Sequence, residues 1–250
     1  MAEAGMIKLE ICIDSVESAV ASEQGGAQRV ELCGSLIEGG TTPTAGMIGE
    51  TRERIGIGLQ VMIRPRGGDF FFTEAEHAVM RREVKVAKDL GADGIVIGCL
   101  NSDGTVDIEH SKALIELARP LNVTFHRAFD MTRDPYEALD TLIELGVDRI
   151  LTSGQEPTVL EGADLIASLR AKAGDNIIIL PGGGVTERNL AKIIKLTGVS
   201  EIHIGTRQPV DSGMHFRNER VYMGGELRPP EYSRLVAASS DVSALRKLLG

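Results

Sequence analysis

The sequence predicts a single-domain (β/α)8 barrel, a TIM barrel that takes up residues 1–250. Three observations predict it. Short β-branched runs alternate eight times with longer helical segments, the pattern of parallel βα units. The segments Gly26-Ala-Gln-Arg-Val30, Gly91-Ala-Asp-Gly-Ile95, Gly146-Val-Asp-Arg-Ile150 and Gly198-Val-Ser-Glu-Ile202 repeat one form at every second strand, dividing the chain into four βαβα quarters. The 250 residues match the size such a barrel takes, with no linker or low-complexity stretch left for a second domain.

Strands are expected at residues 8–12, 29–33, 59–64, 94–98, 123–126, 149–153, 177–181 and 201–205. Helix starts are marked between them. Asp14 with Glu17, Thr73 with Glu76, and Asp134 with Glu137 have the spacing of capping boxes, whose side chains satisfy free backbone N–H groups. Pro43 after Thr42 and Pro135 after Asp134 fit a first helical position, where proline's missing donor costs nothing. Gly25–Gly26, Gly91, Gly146, Gly174 and Gly198 stand where helices end in a left-handed turn. An irregular stretch at 206–230 precedes a short closing helix near 241–249.

Composition narrows the function. A formal charge of -9 argues against a nucleic-acid or anionic-membrane partner, because the long-range field repels phosphate. No basic leader or membrane-length apolar run is evident, and 3 Cys make a disulfide scaffold unexpected. A cytoplasmic protein is expected.

Functional groups of such barrels project from the C-terminal strand ends. Strand 1 ends Glu10-Ile-Cys12 and strand 2 ends Glu31-Leu-Cys33. Side chains alternate along a strand, so with Ile11 and Leu32 facing the helices, Glu10, Cys12, Glu31 and Cys33 face the barrel axis. Neighbouring strands lie about 4.8 Å apart, close enough for the two sulfurs to approach. Paired thiolates suit a soft ion, above all copper(I). The plainer alternative is two small residues filling the core. Cys99, just past strand 4, stands on the same rim.

Arg64, Arg66, His126 and Asp130 follow strands 3 and 5. Their presence implies either an ion-pair network of Glu10, Glu31, Arg64 and His126 or a pocket for a small anionic molecule. Gly183, Gly184, Gly205 and Thr206 follow strands 7 and 8, the frequent phosphate position of these barrels, where glycines expose backbone N–H groups. With Arg64 and Arg66 they form a candidate anion site. In an enzyme of the isomerase or carbon–carbon lyase type, Glu10, Glu31 or His126 would move the proton, with Arg64 and Asp130 completing the catalytic set.

The strand-end strings resemble the CutC copper-homeostasis family. They are Glu31-Leu-Cys33, Glu38-Gly-Gly-Thr-Thr-Pro43, Met62-Ile-Arg-Pro-Arg-Gly-Gly-Asp-Phe70, Gly94-Ile-Val-Ile-Gly98 with Asp103-Gly104, Phe125-His-Arg-Ala-Phe-Asp130, Leu151-Thr-Ser-Gly154, Pro181-Gly-Gly-Gly184 and Phe216-Arg-Asn-Glu-Arg-Val-Tyr-Met-Gly-Gly225. Thr41 stands where the pattern has leucine. The resemblance implies a cytoplasmic homo-oligomeric barrel, a dimer by expectation, with copper as partner at Cys12 and Cys33 and no organic cofactor.

Overall fold

The computed structural model describes residues 6–223 and 230–250. Eight parallel strands form the barrel: β1 Lys8–Ile13, β2 Arg29–Leu32, β3 Gly58–Met62, β4 Gly94–Ile97, β5 Asn122–Phe125, β6 Arg149–Thr152, β7 Ile178–Pro181 and β8 Glu201–Ile204. Each expected strand is present within two residues at either end. β8 lies beside β1, and a parallel bridge between Gly182 and His203 joins β7 to β8, bringing the ring close to closure.

The outward faces of the strands carry Leu9, Ile11, Val30, Leu32, Leu59, Val61, Ile95, Ile97, Val123 and Phe125, all in the main apolar core. That core is completed by α1 Val16–Gln24, α2 Ala45–Arg54, α3 Glu74–Asp89, α4 Ile108–Ala118, α5 Pro135–Glu144, α6 Ala163–Ala173, α7 Leu190–Thr197 and α8 Ser239–Leu248. The inward faces are of a different kind, with Glu10, Arg29, Glu31, Gln60, Arg149, Glu201 and His203 all buried. Cys12, Cys33, Leu36, Met62 and Val96 form a small separate apolar cluster above them.

Thr73 and Glu76 make a full capping box on α3. Asp134 caps α5 by accepting from the Tyr136 and Glu137 amides, while Glu137 pairs with Arg133 instead of completing a box. Two expected starts are displaced. Ser15, not Asp14, caps α1, because its hydroxyl reaches the Ser18 amide. Thr44, not Thr42, caps α2, so Pro43 precedes the helix instead of opening it. Gly26, Gly91, Gly146, Gly174 and Gly198 have positive φ as helix ends require.

The stretch expected to be irregular carries the first strand of a hairpin: β9 Gln208–Asp211 pairs antiparallel with β10 Ser233–Val236, which lies just past it. Part of this stretch, and the end of the Phe216-to-Gly225 string, lie outside the described residues. Among the described residues, no helix is long and apolar enough to cross a membrane.

Candidate functional site

Strand register sets the site. Glu10 stands opposite Arg29 on β2 and His203 on β8, and Cys12 stands opposite Glu31. Each inward residue of β1 therefore meets the inward residue two places earlier in β2, the stagger that strand tilt in a barrel requires.

At the lower end, Arg29 is gripped by two carboxylates. Its Nε donates to Glu10, and its Nη2 donates to Glu201 Oε2 at 2.6 Å. Arg149 Nε donates to the same Glu201 oxygen at 2.8 Å. Glu10 also holds His203 Nδ1 at 2.7 Å. Burial would raise the Glu10 carboxyl, but Arg29 and His203 outweigh it and hold that carboxyl well below the ordinary range. Burial alone would discharge His203, yet Glu31, Cys12 and Glu10 overcome this and raise its pKa well above the usual imidazole value.

One layer higher, Cys12 Sγ and Cys33 Sγ approach the same Glu31 oxygen, Oε2, at 3.5 and 3.6 Å. Ligand atoms of Cys12, Glu31 and Cys33 all lie within 4.8 Å of one another. His203 Nε2 is 3.9 Å from Glu31 Oε2, tying the two layers together. Burial pushes the Glu31 carboxyl up to about 8. The Cys12 thiol is drawn well below its ordinary value by a hydrogen bond from Cys33 and, against the effect of burial, by His203. Cys33 moves the other way, raised by Cys12 and by burial. The group thus separates an easily ionised thiol from a reluctant one a few ångströms away.

Above this layer is a cavity of about 110 Å3, lined by Cys12, Glu31, Gly39, Met62, Arg64, Phe70, His126, Arg127, Leu151 and His203. His126 Nδ1 accepts from the Ala128 amide, so its proton sits on Nε2, which has no partner among the described residues. Burial and the nearby Arg64 lower the His126 pKa to about 3 and keep the ring neutral. Glu31 Oε1 and Arg64 Nε are likewise buried without partners among the described residues.

The remaining expected residues are placed as follows. Arg64 lines the cavity, but its terminal nitrogens donate to the Glu38, Gly40 and Gly68 carbonyls. Arg66 lies away from the cavity, paired with Glu76 and Asp69. The anticipated network of Glu10, Glu31, Arg64 and His126 does not form: Glu10 takes Arg29 and His203, and His126 is uncharged. Asp130 anchors the loop after β6, accepting from Thr152, Ser153 and Gln155 and pairing with Arg127. Thr206 donates to Asp241 on α8, and Gly205 borders open space. Cys99 is turned outward into the core beneath the helices, away from the other two thiols, and burial raises it to about 12.

Arg29, Arg149, Glu201 and His203 were not anticipated as site residues. Alternation along β8 places Glu201 and His203 inward, and closure of the ring brings that strand to β1, which is the signal that finds them. A second cluster of His77, Asp107 and His110 lies between α3 and α4. Its imidazoles are stacked 3.5 Å apart and 6° from parallel, so their in-plane lone pairs do not converge on one ion.

Comparison with known proteins agrees with the barrel fold. The CutC family profile matches residues 7–208. The copper homeostasis protein cutC homologs of Mus musculus and Homo sapiens are each 49% identical over 240 residues, covering 96% of this chain and 87% of theirs. A CutC family protein of Bacteroides fragilis is 48% identical over 234 residues, 93% of both chains. The solved structure of CutC from Streptococcus agalactiae has a TM-score of 0.75 at 36% identity, covering 79% of this chain and 98% of that one. Thiamine phosphate pyrophosphorylase from Pyrococcus furiosus has a TM-score of 0.58 at 19% identity, covering 98% and 96%, a likeness of fold alone.

Proposed function

Because the chain belongs to the CutC family, we propose that it serves copper homeostasis by holding Cu(I) between the sulfurs of Cys12 and Cys33. One observation carries this reading: both thiols, from adjacent strands, converge on a single buried carboxylate oxygen with all three ligand atoms within 4.8 Å. The donor set fits a soft monovalent ion, and the thioether of Met62 belongs to the same cluster. The apolar wall shields such an ion from water, while the low-lying Cys12 thiol supplies one thiolate readily. Cys33 must lose its proton to serve as the second ligand, so affinity rises with pH. No organic cofactor enters this reading.

Competition with a chromophoric Cu(I) chelator tests it. The parent protein is expected to hold one Cu(I), and the Cys12→Ser/Cys33→Ser protein none. Equal retention by both would sink the thiol-pair site. The same reading takes the protein as cytoplasmic and as a homodimer. Exposed Met214, Phe216 and Met223 near β9 support self-association, which light scattering measures.

A second reading is supported by the chain Glu10–His203–Cys12/Glu31. A carboxylate orients one nitrogen of an imidazole whose other nitrogen faces an ionisable pair beneath a cavity, the arrangement of a proton-transfer site. In it, the protein is an isomerase or carbon–carbon lyase acting on a small anionic or phosphorylated metabolite. Glu10, Glu31 and His126 are its acid–base candidates, Arg64 and Asp130 shape the pocket, and the glycines after β7 and β8 face the anion. Deuterium uptake from solvent into a panel of three- to five-carbon carboxylates and phosphate esters is the assay. No uptake above that of His203→Asn counts against it.

A further inference from the structure

The cavity is bordered by hydrogen-bonding groups that no described residue satisfies. His126 Nε2–H, Glu31 Oε1 and Arg64 Nε are buried and unpartnered among the described residues, although an unmade hydrogen bond in such a place is costly. At the cavity rim, Arg127 is fixed by two contacts. Its Nε donates to Asp130 Oδ2 at 2.7 Å, and its Nη2 donates to Ser153 Oγ at 2.6 Å. Its remaining nitrogen, Nη1, donates to no described residue, and a Cβ built on Gly183 would come within 3.3 Å of it.

Gly183 and Gly184 have φ of 118° and 70°, and neither amide donates to a described acceptor. Two consecutive glycines with free N–H groups beside a held guanidinium make a recess suited to an oxyanion. Asp130, the carboxylate paired with Arg127, is saturated by Thr152, the Ser153 amide and hydroxyl, the Gln155 amide and Arg127, so it positions the guanidinium without leaving a free charge.

We propose that Arg127 with the Gly183 and Gly184 amides binds the anionic head of a small organic oxyanion, whose polar tail lies against His126 Nε2–H and Glu31 Oε1. This rests on the second reading above and specifies its substrate class. The cavity of about 110 Å3 has room for a tail the size of three or four waters at about 30 Å3 each. The ligand is therefore a carboxylate or phosphate ester of about two to four carbons. The cationic group that recognises it is Arg127, which sequence reasoning passed over, in place of Arg64, whose terminal nitrogens are occupied by loop carbonyls, and Arg66, which is paired with surface carboxylates.

The test is titration of the isotopically labelled protein with inorganic phosphate, glycolate and phosphoglycolate, followed by nuclear magnetic resonance. The Gly183 and Gly184 amides are expected to shift with all three probes, and the His126 ring nitrogens with the two organic ones. Whether glycolate or phosphoglycolate binds tighter identifies the head group as carboxylate or phosphate. Arg127→Gln is expected to weaken binding at least about tenfold, the loss of one charged hydrogen-bonding partner. Unshifted glycine amides in the parent protein at saturating probe overturn the proposal even should the variant fail to fold. So does undiminished binding in a folded Arg127→Gln protein, or a His126 ring that no organic probe moves. Because binding is read without turnover, intact binding with no deuterium uptake would sink only the catalytic reading.

Discussion

Replacing Glu10 by Gln removes one charge from the middle of the barrel and leaves the shape nearly unchanged. In the parent, Glu10 accepts from Arg29 Nε and from His203 Nδ1, with all three groups buried. Breaking a buried ion pair by neutralising one partner typically costs about 3–5 kcal/mol, because the other charge stays desolvated. Arg29 keeps Glu201 at 2.6 Å, so the lower end, about 3 kcal/mol, is expected. For a chain of this size that corresponds to a fall in Tm of roughly 6–12 °C.

The loss has a pH signature. The Glu10 carboxyl is held well below its ordinary value, burial being outweighed by Arg29 and His203. Its stabilising contribution is therefore present above about pH 4.5 and lost as pH falls through the folded value. The gap between parent and variant should stay constant from about pH 5 to 7 and narrow on further acidification. Urea denaturation across that range measures both features. A Glu10→Gln protein within about 0.5 kcal/mol of the parent at pH 7, or a gap that does not narrow in acid, would refute the electrostatic account of the barrel interior.

Glu31 predicts the opposite pH trend: burial lifts its carboxyl to about 8, so the folded chain keeps a proton the unfolded chain has shed. That stability is full below about pH 4.5 and lost as pH rises toward 8; Glu31→Gln should match the parent at about pH 4 and exceed it at pH 8 by on the order of 4 kcal/mol, as measured by denaturant melts. Among the thiols, Cys12 should be alkylated first at neutral pH, since it alone is only partly buried and easily ionised. Peptide mass spectrometry after limited iodoacetamide treatment checks this, with His203→Gln slowing the reaction and Cys99 staying unlabelled in the folded state. Gly98→Ala puts a Cβ 2.3 Å from His126 Cε1 and 2.8 Å from Ala128 Cβ, so an overpacking cost of about 1–3 kcal/mol is expected; an unchanged melting temperature would mean the ring moves freely. Thr73→Ala should cost about 1 kcal/mol by removing the capping box of α3.

The order of strands, the faces they present and the helix ends were legible along the chain, because their causes are local. A strand alternates every second residue and a capping side chain reaches three residues ahead, so Cys12 and Glu10 could be assigned to one face from their spacing alone. Convergence of Cys12, Glu31 and Cys33 followed from two adjacent strands. Cys99 shows the limit of that reasoning: it stands just past its strand, where alternation no longer dictates direction, and it turned toward the helices.

Which charges meet inside the barrel was decided only by the tertiary structure. Glu10 and His203 are 193 residues apart, and they touch because the ring brings its last strand against its first. The stagger between strands then sets Arg29, not Arg64, beside Glu10. The terminal nitrogens of Arg64 and the guanidinium of Arg66 were claimed by nearby carbonyls and carboxylates, leaving Arg127, among the described residues, as the cavity arginine with a free terminal nitrogen. Such pairings depend on closure, tilt and loop path. These are properties of the assembled ring, and no short window of residues encodes them.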